Sequence, residues 1–127
     1  MGPNEVLDKG FIADDEIPEF HVVDQSDVDH CELQDTAGGD WVGISQESAD
    51  EVDVANRRVL RVRTMGVSRA VAGGEVALKA RVAANTSGEL VTASDGDYVV
   101  GIARTPASVA GDWFNVELTP GVQLPSA

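Results

Sequence analysis

Glu75-Val76-Ala77-Leu78-Lys79-Ala80-Arg81-Val82 decides the reading of this chain, because its side chains alternate in character. Val76, Leu78, Ala80 and Val82 fall on one face of an extended backbone, with Glu75, Lys79 and Arg81 on the other. That is the period-two pattern of a half-buried strand. Val59-Leu60-Arg61-Val62-Arg63 and Phe114-Asn115-Val116-Glu117-Leu118 repeat it. Gly73-Gly74, Asn85-Thr86-Ser87-Gly88, Ser94-Asp95-Gly96 and Gly111-Asp112 supply turns between such strands. The reading is all-β: a small β-barrel or β-tulip-like domain over residues 41–127. The one window compatible with a helix, Gln46 to Val54, is crowded with acids.

Composition agrees with that class. A chain of 127 residues bounds the fold to one domain. Hydrophobic residues make up 43% but aromatics only 5%, so the core must be built mostly from Val and Ala. Thirteen glycines suit many short strands and tight turns. There is also an internal echo. Gly39-Asp40-Trp41-Val42-Gly43-Ile44, then Ala49, resembles Gly96-Asp97-Tyr98-Val99-Val100-Gly101-Ile102, then Ala107. Each copy leads into a strand and then Gly-Val, at Gly66-Val67 and Gly121-Val122. Two copies are too few for a solenoid and fit a small barrel of equivalent strand–loop–strand units.

Residues 1–40 read differently. Apolar islands (Phe11-Ile12, Ile17, Phe20-His21-Val22-Val23, Leu33) lie among acids and are interrupted by Pro3 and Pro18. Such a segment buries little of its own surface and offsets its chain entropy poorly. A solvated acidic tail is one reading. The Phe and Ile pairs favour another, an extended N-terminal arm that orders against a partner.

Charge divides the chain in the same way. Residues 1–56 carry sixteen acids against Lys9, a sum of -15, and residues 57–127 carry eight bases against six acids, a sum of +2. The total of -13 argues against nucleic acid or an anionic membrane as a direct partner. No apolar run is long enough for a membrane-spanning helix, and residues 1–20 lack the pattern of a signal peptide. A lone cysteine, Cys31, forms no internal disulfide and suits synthesis in a reducing cytoplasm.

The residue types that carry chemistry do not assemble into a motif. His21, His30 and Cys31 lack the paired spacing of a zinc site. Adjacent His30 and Cys31 point to opposite faces of an extended chain, and the surrounding acids disfavour a thiolate. Asp24-Gln25-Ser26-Asp27-Val28-Asp29 starts like a calcium loop, but Asp29 stands where the loop needs Gly and Asp35 where it needs Glu. Gly43-Ile44-Ser45-Gln46-Glu47 lacks the second Gly of a nucleophile elbow. The expectation is a non-enzymatic protein with no catalytic, cofactor or metal residues.

From Val42 onward the chain resembles the capsid cement, or head decoration, proteins of tailed viruses. The likeness rests on Val42-Gly43-Ile44-Ser45, Val67 to Val71, Ala72-Gly73-Gly74-Glu75-Val76-Ala77-Leu78-Lys79 and Gly88-Glu89-Leu90-Val91-Thr92-Ala93. Tyr98-Val99-Val100-Gly101-Ile102-Ala103, Ala107 and Trp113-Phe114-Asn115-Val116-Glu117-Leu118 complete it. The resemblance implies a virion protein on the outer capsid surface, homotrimeric, with the major capsid protein as partner and no catalytic residues. On that reading Phe11, Ile12, Ile17, Phe20 and Val22 of the arm contact capsid or a neighbouring subunit. Arg57, Arg58, Arg61 and Arg63 make charge contacts between subunits. The alternative is another virion or cell-surface binding module, such as a tail or carbohydrate-binding domain, with Trp41, Tyr98 and Trp113 as its large aromatics.

Overall fold

The computed structural model describes residues 6–126. The chain runs β1 (Leu7–Ala13), β2 (Val22–Asp27), β3 (His30–Leu33), β4 (Gly43–Ser45), α1 (Glu51–Ala55) and β5 (Val59–Met65). It continues with β6 (Val67–Val71), β7 (Arg81–Ala84), β8 (Leu90–Thr92), β9 (Tyr98–Ala103) and β10 (Trp113–Gln123). The all-β class is as the strand patterns predict. The first five strands form a closed barrel in the order β1-β3-β2-β4-β5, with β5 pairing back onto β1. The last five form a sheet in the order β6-β10-β9-β7-β8, whose edges meet at a single parallel bridge, Ala72 to Leu90.

These two halves are copies of one design. Strand order matches when β1 to β5 are read as β6 to β10. So do local pairings. Ile17 bridges Ala49 as Val76 bridges Ala107, with reciprocal N–H to O bonds in both cases. Val23 opposes Leu33 and Gly43 as Val82 opposes Thr92 and Gly101. The Asp14 N–H donates to Cys31 O as the Gly73 N–H donates to Leu90 O. Left-handed turns recur too, at Phe20 and Lys79 (φ 61° and 68°), and at Asp29 and Gly88 (φ 68° and 75°). The echo between residues 39–49 and 96–107 is thus the visible part of a duplication that spans the described chain.

Three expectations need correction. Residues 7–33 are not an arm but three of the first barrel's five strands, so the division at residue 40 falls inside a half. The physical reason is that a barrel this small needs few large side chains. Phe11, Ala13, Ile17, Val23 and Cys31 fill it together with Ala49, Leu60 and Val62, while the acids point outward or sit in turns. Met1–Glu5, the start of the expected arm, lie outside the described residues. Second, β7 begins at Arg81, not at Glu75. Val76 is buried, but a turn with Lys79 in the left-handed region reverses the chain and leaves Leu78 55% exposed. Third, the helix is only Glu51–Ala55, started by Asp50, whose carboxylate accepts from the Asp53 N–H while Asp53 returns the bond.

The halves pack directly on each other. Val22 and Ile44, opposite one another on β2 and β4, leave the first barrel's core and join the second half's, against residues such as Val82, Val100 and Phe114. The Val22 N–H donates to Gly88 O at 2.8 Å. In the first barrel the matching carbonyl, on Asp29, takes the Ile12 N–H and seals the β1–β3 seam. The second half leaves that seam nearly open and fills it with its sister. Gln46 Nε2 to Ser68 Oγ (2.8 Å, both residues buried) and Trp41 Nε1 to Val99 O (3.0 Å) lock the junction.

Candidate binding surfaces

The residues expected to grip a partner are mostly engaged within the chain. Phe11, Ile17 and Val22 are 1% exposed and belong to the two cores; reaching a partner through them would require unfolding. Ile12 is half-buried on β1 opposite Val59. Half-buried Phe20 crosses the junction and meets Trp113 edge to face, with ring centres 5.7 Å apart.

The four arginines are divided. Arg63 Nε lies 2.8 Å from Asp8 Oδ1, and Arg61 Nε lies 3.6 Å from Asp8 Oδ2, so β5 is tied to β1 of the same chain. Arg58 sits 3.4 Å from both Glu47 and Asp53. Arg57 is exposed in a left-handed turn after α1.

The residue types with chemical potential are likewise placed. Asp14 accepts hydrogen bonds from the Ser26 hydroxyl and, at 2.7 Å, from His30 Nδ1. The carboxylate lies between hydroxyl and imidazole, so neither primes the other as base and nucleophile. These two bonds hold the Asp14 carboxyl below the usual carboxylate range, Ser26 contributing most. Burial, reinforced by Asp14, Asp15 and Glu32, pushes the Cys31 thiol up to about 12, which keeps it protonated. Among the described residues, no three His, Cys, Asp or Glu side chains are grouped as metal ligands. No helix among them is long and apolar enough to cross a membrane.

Two surfaces stand out that sequence reasoning did not single out. One is acidic. Asp24 on β2 stands directly opposite Glu32 on β3, and like charges so placed destabilise a sheet. Desolvation first, then neighbouring carboxylates, raises the carboxyls of Asp15, Asp24 and Glu32. The other surface is cationic and aromatic, on the outside of the second sheet. The Arg69 guanidinium lies 4.9 Å from the centre of the Trp113 ring and 5.7 Å from that of Phe20. Beside it is a shallow depression of about 260 Å³ lined by Arg69, Thr105, Trp113, Phe114 and Asn115. Trp113 keeps 58% of its surface exposed. Trp41 and Tyr98, the other large aromatics, are half-buried.

Comparison with known proteins matches this architecture. The chain is similar in structure to the N base of the head fiber gp8.5 of bacteriophage phi29. The TM-score is 0.69 at 13% sequence identity, over 91% of this chain and 95% of that one. At that identity the likeness is one of fold. No protein-family model and no curated protein matches the sequence.

Proposed function

We propose that this chain is a structural protein of a tailed-virus head, attached to the outer capsid surface as a decoration or cement protein. The observation that carries the reading is the match of almost the whole chain, barrel and sheet together, to the base of a phage head fiber. The resemblance of residues from Val42 onward to capsid cement proteins supports it independently. In this reading the chain carries out no catalysis. It acts as a homotrimer, binds the major capsid protein, and stiffens the shell against the pressure of packaged DNA. Three linked contacts raise avidity by about 10²–10⁴-fold without any single strong one.

Phe11, Ile17 and Val22 are buried in the two cores, so the reading places the contacts elsewhere. In this reading the contacts are made by the acidic β2–β3 face and the outside of the second sheet. Purified protein mixed with empty capsids of the virus that encodes it should co-sediment and raise the temperature at which the shells open. Capsids that pellet without it, and open at an unchanged temperature, would remove the proposal. One observation favours the cell-surface alternative, the exposed Trp113 beside its shallow depression. That ring already lies beneath Arg69 and meets Phe20 edge to face across the junction, which gives it a packing role as well. A glycan array distinguishes the two.

A further inference from the structure

The shallow depression on the second sheet has a counterpart on the first barrel, and the two surfaces have diverged. Strand pairing sets the correspondence. Val71 opposes Trp113 and Arg69 opposes Asn115, as Ile12 opposes Val59 and Gly10 opposes Arg61. The Asn115 N–H donates to Thr105 Oγ1 at 2.8 Å, as the Arg61 N–H donates to Glu47 Oε1 at 3.0 Å. On the first barrel this surface satisfies its own charges. Glu47 pairs with Arg58, and Asp8 pairs with Arg61 and Arg63. On the second sheet both acids are gone, replaced by Thr105 and Val67, and Arg69 stands where the first barrel has Gly10. Among the described residues no carboxylate pairs with Arg69. The nearby acids are committed elsewhere, Glu117 to Arg104 at 2.8 Å and Asp112 to the N–H groups of Ser108 and Val109.

We propose that this depression binds an acidic sugar, a pyranose ring bearing a carboxylate. Trp113, oriented by Arg69 and Phe20, keeps 58% of its surface exposed as a platform for the C–H face of the ring. The Arg69 guanidinium takes the carboxylate, because packing over an aromatic ring leaves donors available in its own plane. Thr105 Oγ1 already accepts from a backbone N–H and keeps its own proton to give, and the Asn115 amide both donates and accepts. These groups suit sugar hydroxyls. An apolar peptide segment would leave all three polar side chains unpaired, and a simple anion would leave the Trp113 face unused. A volume of about 260 Å³ lies below the roughly 300–1,000 Å³ of sites for drug-sized ligands, which fits a single ring. The chain's total of -13 does not oppose an anion here, since charges beyond about 8 Å are screened at physiological salt. The site takes the Trp113 end of the outer face and leaves the rest of it, with the acidic hairpin, to the capsid.

The inference does not rest on capsid attachment, and its test needs only the whole chain, isotopically labelled for NMR and titrated with methyl glucuronide, methyl glucoside or acetate. The Trp113 indole N–H and the Asn115 side-chain amide report on the site, and the Trp41 indole, bonded to Val99 O, is the internal reference. Methyl glucuronide should shift Trp113 saturably with a Kd on the order of 1 mM. Methyl glucoside should bind about 10-fold more weakly, and acetate should leave Trp113 unmoved. Thr105→Glu installs the residue the first barrel uses, so it keeps an acceptor for the Asn115 N–H while placing a carboxylate near Arg69. It should weaken glucuronide binding about 10-fold or more with the remaining spectrum unchanged, and Arg69→Gln should do the same. No saturable shift at Trp113, equal affinity for the neutral glycoside, the same shift with acetate, or undiminished binding by both variants would each overturn the inference. So would a Thr105→Glu protein that loses capsid co-sedimentation while no sugar moves Trp113, because the depression is then a protein contact. Glucuronide binding by a chain that does not pellet with capsids supports this inference and defeats only the capsid reading.

Discussion

At the scale of single residues, the fold depends on a few places where nothing larger fits. A Cβ on Gly101 would meet Glu117 O and come within 2.7 Å of Val116 Cγ2, and one on Gly43 would meet Arg63 O and come within 2.6 Å of Val62 Cγ1. The two glycines are counterparts, and each lets its strand lie close against β10 or β5. Gly101→Ala and Gly43→Ala should therefore each cost about 1–3 kcal/mol, read as a fall in urea midpoint. Gly74→Ala, with open space around it, should leave the midpoint within error. Ile17→Ala should cost about 2–5 kcal/mol, because its side chain lies inside the first barrel rather than on an arm. A midpoint unchanged by Ile17→Ala would contradict the buried placement. Cys31, buried and protonated, should resist a disulfide reagent at pH 8 until denaturant is added; rapid labelling of the native protein would refute this.

At the scale of elements, the β2–β3 hairpin holds charges that oppose its own pairing. Asp15, Asp24 and Glu32 bind protons more tightly in the fold than in the unfolded chain, because their carboxyls are raised. Their contribution to stability therefore grows as pH falls from neutrality through the raised values, and is complete below the ordinary carboxylate range. Asp14 and Asp53, lowered, act with the opposite sign and lose their contribution on acidification. Glu32→Gln should stabilise by about 0.2–0.5 kcal/mol at pH 7, the exposed position keeping the effect small. That gain should vanish near pH 4, where the wild-type repulsion is itself relieved. Thermal melts of both proteins between pH 4 and pH 7 measure it, and a gain that grows on acidification would reverse the assignment.

The same hairpin shows what was legible in the sequence. β5 and β10 were plain because Leu60, Val62, Phe114 and Val116 alternate with polar residues on strands that face solvent on one side. In β2 the adjacent pair Val22-Val23 feeds two different cores, so no alternation survives to be read. In β3 the inward residue is Cys31, flanked by His30 and Glu32. The turn at Phe20 uses a left-handed aromatic residue, where Gly would have announced it. The duplication was the missing signal: Ala13, Glu16 and Ile17 stand where Ala72, Glu75 and Val76 stand in the second half. Of the surfaces, only the overall charge asymmetry was visible. Arg69 meeting Phe20 and Trp113 depends on how the two halves dock.

At the scale of the whole molecule, neither half is complete alone. The second half's core includes Val22 and Ile44, and its open seam is filled by the first half. Heating should give one cooperative transition, with coincident far-UV circular dichroism and Trp fluorescence. A fragment lacking residues 1–35 should lose the native spectrum, since it lacks three strands of the first barrel; a fragment that kept a cooperative melt would show the second half to be self-sufficient.

Between β5 and β6 the only connecting residue is Gly66, which bends the chain at φ 98° and accepts the Leu118 N–H through its carbonyl. Such a joint has no slack to give. Tension applied to one half reaches the next through that single residue, as it would through a rivet and not through a tether.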